Sequence, residues 1–243
     1  STPSLMGGPA DRDRFVVITD GQPLMHLVLM WRDAIPEGWQ PVRDGADPRI
    51  ACEVPVTFGD PAATRTLSEQ SVLVRGHSAI VVNNLLADPD QFASRPPLLQ
   101  RIYSALEGGV PAQAPRGLER IDWDPAARAC RSVWANTEVS IPNAIPTMSE
   151  ATGLIYAQGQ VAGAWGLHAV RFDTGTAAFF EPAPAQQCDG MLEAVPPTDR
   201  LVVADAFARY DGACENSFYA ATEVGPGGAI YQGTWYGATR YSP

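Results

Sequence analysis

The stretch TGLIYAQGQ, Thr152 to Gln160, combines a turn-prone start, a short apolar run rich in β-formers and a polar stop. The same outline recurs as DRFVVITDG from Asp13, GHSAIVVNN from Gly76 and GGAIYQGTW from Gly227. Centred near Phe15, Ala79, Leu154 and Ala229, the four runs are spaced by 64, 75 and 75 residues. A recurring spacing of this length points to a repeat architecture, in which each unit is one supersecondary structure stacked on its neighbours. The match extends in both directions. A short strand precedes each run: TPSLMG from Thr2, QSVLVRG from Gln70, IPTMSE from Ile145 and SFYAATE from Ser217. A third follows: MHLVLMWRD from Met25, LERIDWDP from Leu118, GLHAVRFDTG from Gly166 and GATRYSP from Gly237. RIACEVPV, ARACRSVW and TAAFFEP supply a fourth strand in the first three cases.

Four strands joined by tight turns make the blade of a β-propeller. One such sheet has two faces to cover, and stacking blades covers both. The expected fold is therefore all-β, a single propeller portion with about three and a half four-stranded blades. The blades fall at about 1–58, 69–134, 145–181 and 216–243, with insertions at 85–117 and 181–215. FDTG at Phe172 to Gly175 suits a third-to-fourth-strand turn, because Asp bonds its own downstream backbone and Gly accepts a positive φ. WDPA at Trp123 and WRDA at Trp31 occupy the matching turns, so Trp31, Trp123 and Phe172 are expected to pack between blades. Within the first insertion, PPLLQRIYSALEGG places Leu98, Leu99, Ile102 and Leu106 on one helical stripe before a Gly stop.

The composition agrees. The 22 Gly and 22 Pro among 243 residues leave little room for long helices and suit many short strands. A net charge of −10, with 17 basic residues that form no run, argues against binding nucleic acid or an anionic membrane surface. No apolar stretch reaches the roughly 20 residues that cross a bilayer as a helix. Cys52, Cys130, Cys188 and Cys214 lack C-x-x-C spacing. Their even number suits two disulfides, Cys188 with Cys214 and Cys52 with Cys130, in a secreted or periplasmic protein; the alternative is four buried thiols in a cytosolic one.

GLHAVRFDTG and the ending GPGGAIYQGTWYGATRYSP resemble the repeats of pyrroloquinoline-quinone-like (quinoprotein alcohol dehydrogenase-like) propellers. Ala169 and the DTG of Asp173 to Gly175 match the turn of those repeats, Phe179 or Phe180 stands at the closing aromatic, and Trp134 closes the preceding unit. The chain looks like the C-terminal half of an exported bacterial propeller protein of this kind. A quinone enzyme of the type carries a vicinal Cys pair and a calcium-binding cluster of Glu, Asn and Asp. Neither is visible, and no motif supports any cofactor.

Three and a half blades do not close a six- to eight-bladed ring. Either a strongly modified four-bladed ring forms, or a second polypeptide supplies the remaining blades in a heterodimer; the second is preferred. Ser1, with no initiator Met before it, is read as a processed or a trimmed end, not a translation start.

Polar residues entering the innermost strands form the first candidate site: Ser1 and Thr2, Glu69 and Gln70, Asn143, and Glu215 with Asn216. They would face one channel mouth, either as acid–base and binding groups or as a hydrogen-bonded plug. Ser1 could act as nucleophile with its own α-amine, of ordinary pKa about 8, as base. Asn83, Asn84 or Asn143 would then stabilise the oxyanion, with Glu69 and Glu215 as further catalytic candidates. Thr2, Asp20, His26, Gln70, Asn143 and Asn216 are the candidate substrate-binding residues. His26, His77 and His168 fall at different blade positions, so no three-histidine metal site is expected. The first reading is a propeller enzyme acting on a small molecule, with hydrolysis the reaction. The second is a non-catalytic binding or assembly scaffold, and a quinone-dependent oxidoreductase is the third.

Overall fold

The computed structural model describes residues 2–184, 213–235 and 237–242. The first sheet is a meander of β1 (Ser4–Met6), β2 (Phe15–Thr19), β3 (His26–Trp31) and β4 (Ile50–Pro55). The second runs through β5 (Leu73–Arg75), β6 (Ser78–Val82), β7 (Leu118–Asp124) and β8 (Ala129–Asn136). The third is β9 (Thr147–Ser149), β10 (Leu154–Val161), β11 (Ala164–Arg171) and β12 (Ala177–Pro182). In the fourth, β13 (Thr222–Val224), β14 (Ile230–Gly233) and β15 (Ala238–Tyr241) make three strands among the described residues. Every neighbouring pair is antiparallel and consecutive in sequence. These are propeller-type blades, and the fold class is the all-β propeller class expected from the repeat.

The residues group into two compact units, 1–83 with 117–137 and 84–116 with 138–243. The first holds blades one and two. In FVVIT, Phe15, Val17 and Thr19 are buried while Val16 and Ile18 are half-buried, the period-two alternation of a strand with one face on a core. Leu27, Leu29 and Trp31 join that face from β3, and Val81, Ile121 and Trp123 meet it from the second blade. Phe15 lies at the centre, its ring 4.8 Å from Trp31 and 4.9 Å from Trp123. Burying one such side chain contributes roughly 1.5–3 kcal/mol. Cys52 on β4 and Cys130 on β8 form a disulfide, tying the outer strands of the two blades together.

The second unit holds blades three and four and the inserted helix α1 (Pro97–Glu107). Pro at the first helical turn lacks only an N–H that has no partner there anyway. Tyr103 and Leu106 are buried, with Phe92, Leu99 and Ile102 packed against them. The hairpin from β10 to β11 turns at Ala162 (φ 51°) and Gly163 (φ 90°), the two positive φ values that a tight right-twisted two-residue turn requires. Among the described residues no helix is long and apolar enough to cross a membrane. Cys214 is buried, while Cys188, its expected partner, lies outside the described residues.

Candidate functional site

In the first unit, Asp20 follows β2 and sits opposite His26, the first residue of β3. Its Oδ1 accepts from the backbone N–H groups of Gln22 and His26, and its Oδ2 lies 3.0 Å from His26 Nδ1. Glu53 on β4 pairs in register with Val28, two residues along from His26, which brings its side chain to the same face. One ligand atom from each of Asp20, His26 and Glu53 falls within 4.8 Å of the others. Arg43 reaches Glu53 with two N–H groups, each at 3.2 Å.

The other candidates of this unit are scattered. Thr2 and Glu69 are exposed. Gln70, 2% exposed, has neither amide atom bonded among the described residues, which suits a structural water. The Asn83 N–H donates to the Gly117 carbonyl. Ser1 lies outside the described residues.

In the second unit, Asn143 and Asn216 do converge. The Asn143 Nδ2 donates to Asn216 Oδ1 and to the carbonyl of Ala105, each at 2.8 Å, and Asn216 Nδ2 donates to the same carbonyl at 2.8 Å. Asn216 Oδ1 also accepts from the Phe218 N–H. Ala105 is in the last turn of α1, where carbonyls lose their intrahelical donors, and the Gly109 N–H goes to Leu106 instead. The two buried amides thus close the end of the helix. Asn84 Nδ2 donates to Pro142, and the half-buried Glu215 accepts from Gln158 through its backbone carbonyl.

His168 is buried against Phe180 and beside Gly159, where a Cβ would come within 2.6 Å of its ring. Burial lowers its pKa from 6.5 to about 4, partly opposed by the backbone carbonyls of Gln160 and Ser140. The imidazole is therefore neutral near pH 7 and structural.

A cleft of about 630 Å³ also lies in this unit. Its floor is Tyr156 and Leu167 of blade three with Ile230 and Tyr241 of blade four, residues of one apolar cluster. Phe179, 46% exposed, and Glu181 rise from β12 on one side, and Arg240 from β15 on the other. Register explains the first wall: Phe179 is opposite Ala169 and Glu181 opposite Leu167, so both share the face that meets blade four. At the inner end Tyr241 Oη donates to Gln158 Oε1 at 2.8 Å. Burial pushes the Tyr241 phenol up to about 12, with Glu215 and Glu181 adding to the rise and the Gln158 hydrogen bond opposing it. Tyr241 is thus a hydrogen-bond donor, not a base, at neutral pH.

Sequence reasoning missed Glu53 and the whole cleft. Both follow from cross-strand register, and alternation along β4 and β12 was the signal available for them.

No family model matches the sequence. A relative from Archaeoglobus fulgidus, described as an uncharacterized protein, is 47% identical over 243 residues, covering 99% of this chain and 41% of that protein. The chain thus spans less than half the length of that relative. Among solved structures, BamB from Moraxella catarrhalis aligns with 98% of this chain and 50% of its own, at a TM-score of 0.46 and 14% identity. The extracellular domain of a one-component system from B. thetaiotaomicron aligns with 98% of this chain and 39% of its own, at 0.23 and 11%. At TM-scores below 0.5 neither neighbour bears on function, and the blade assignment stands on strand order.

Proposed function

We propose that this chain is a non-catalytic assembly portion of an exported β-propeller, whose fourth blade takes up an extended strand from polypeptide beyond these 243 residues. The observation that carries the reading is the cleft between β12 and β15. Blades one and two each have an outer fourth strand, and those strands face each other across a disulfide. Blade three also has its outer strand, β12. Blade four has three strands among the described residues, and beside β12 and β15 lies the cleft, walled by Phe179, Glu181 and Arg240. An added strand would bond along β15 and place alternate side chains on the apolar floor, the usual logic of strand addition. The length of the Archaeoglobus relative favours such additional polypeptide. Export rests on the Cys52–Cys130 disulfide, since such bonds persist mainly in oxidising compartments.

The hydrolase reading needs Ser1 as nucleophile and an oxyanion hole from Asn83, Asn84 or Asn143, and the Asn84 and Asn143 side-chain amides donate to the carbonyls of Pro142 and Ala105. Replacing Ser1→Ala tests it directly: unchanged activity and processing would remove that reading. The resemblance to quinone-type propeller repeats favours common strand architecture, not a bound quinone.

Native and denaturing mass spectrometry on the protein from its natural source tests the assembly. The expected result is a species in which these residues accompany further polypeptide, as a continuous longer chain or as a tightly held second one. A single monomeric species of 26.0 kDa would overturn the proposal.

A further inference from the structure

We propose that Asp20, His26 and Glu53 form a binding site for a divalent transition-metal ion of the zinc class. The site is independent of the cleft and belongs to the other unit. Two antiparallel pairings build it. Asp20 continues β2 opposite His26, where its N–H donates to the His26 carbonyl at 3.0 Å, and Glu53 stands across from Val28 on the strand beyond. All three side chains leave the face of the first blade opposite to the one carrying Phe15, Leu27 and Leu29. They are each partly buried, with side-chain exposures of 22%, 25% and 17% for Asp20, His26 and Glu53.

The donor set is one imidazole and two carboxylates, the nitrogen and oxygen ligands that zinc accepts. In a tetrahedral site with bonds of about 2.0 Å, ligand atoms stand about 3.3 Å apart. Asp20 Oδ2 and His26 Nδ1, at 3.0 Å, already have nearly that separation. The proton between them marks the position that an ion would take. On binding, the single imidazole proton moves through solvent from Nδ1 to Nε2, which frees the Nδ1 lone pair for the ion, and Glu53 closes in by a change of rotamer. Three protein ligands leave one position for water. The turn is already built for this geometry, because Asp20 Oδ1 is held by two backbone N–H groups and its second oxygen is left facing the imidazole. Arg43 is the competing cation on Glu53. Its side chain is 62% exposed, and exposed pairs of this kind are weak, so an ion can displace it.

The test is a calorimetric titration of chelator-treated protein with Zn²⁺ alone, paired with Tm measured with and without the ion. Saturable one-to-one binding is expected, together with a rise in Tm, because an ion that binds only the folded state stabilises it. His26→Gln and Glu53→Gln should each weaken binding roughly tenfold or more. Asp20→Asn keeps an oxygen for the turn and should weaken it similarly. Arg43→Ala should bind at least as tightly as the unaltered protein. Far-UV circular dichroism identifies folded variants, and the conservative Glu53→Gln decides if others fail to fold. Absence of saturable binding, or binding unchanged in Glu53→Gln, overturns the proposal.

Discussion

The seam between blades one and two and the seam between blades three and four are built from the same strand meander but filled differently. In the first, Phe15, Trp31 and Trp123 interlock, and Cys52–Cys130 bonds the outer strands. In the second, the apolar cluster of Tyr156, Leu167, Ile230 and Tyr241 sits beside buried polar pairs, Tyr241 with Gln158 and Thr222 with Gln232. Beyond it, among the described residues, the outer strand β12 borders the cleft. Apolar packing needs only shape, whereas each buried polar atom needs its own partner. The first seam is thus joined by rings and a disulfide, and the second, among the described residues, by an apolar cluster and the Tyr241–Gln158 hydrogen bond.

The comparison breaks most visibly at the aromatic seam. Phe15→Ala should destabilise the first unit by about 3–5 kcal/mol, read from urea unfolding, because a ring-sized cavity opens between two indoles. A loss under about 1 kcal/mol would mean that the two blades are not held by this cluster. Next comes the disulfide, which closes a loop of sequence separation 78. Paired replacement Cys52→Ser and Cys130→Ser should cost about 2–4 kcal/mol, and an unchanged urea midpoint would contradict the tie between outer strands.

The second unit should be the acid-sensitive one. His168 has a folded pKa of about 4, below its ordinary 6.5, so the unfolded chain takes up the proton first. The stabilising difference is complete above pH 6.5 and is lost as pH falls from 6.5 toward 4, by about 3 kcal/mol in all. Stability measured across that window should show the slope in the unaltered protein and a shallower one in His168→Gln; equal slopes would refute this origin. The smallest effect is expected from Tyr241→Phe. It removes the donor to Gln158 Oε1 and should cost about 1–2 kcal/mol, measured as a shift in the denaturant midpoint. No shift would show that the polar pairs do not help to hold the second seam.

Much of the fold was legible because its signals are local. The alternation in FVVIT, the equivalent turn positions of Trp31 and Trp123, and the placement of Cys52 and Cys130 in fourth strands all follow from spacing along the chain. The candidate site was less so. Asn143 and Asn216 were two members of the polar set expected at one channel mouth, and their partner, the Ala105 carbonyl, depends on where α1 loses its last donors. Glu53 joins Asp20 and His26 only through register on β3 and β4, a pairing interrupted by an irregularity between Leu29 and Met30. TGLIYAQGQ itself carries such a hidden demand. Its Gly159 reads as the end of a strand, yet β10 continues to Val161. A Cβ at Gly159 would stand 2.1 Å from the Ser140 carbonyl and against the His168 ring, so the close approach, not a turn, calls for glycine there.

Amide hydrogen exchange on β15, compared between the isolated 243-residue chain and the assembly from the natural source, tests the strand-uptake account most directly. The account expects the Ala238–Tyr241 amides to exchange at least roughly tenfold more slowly in the assembly, with β10 and β11 unchanged, since strand addition protects the edge it covers. Equal exchange of β15 in both samples would contradict it.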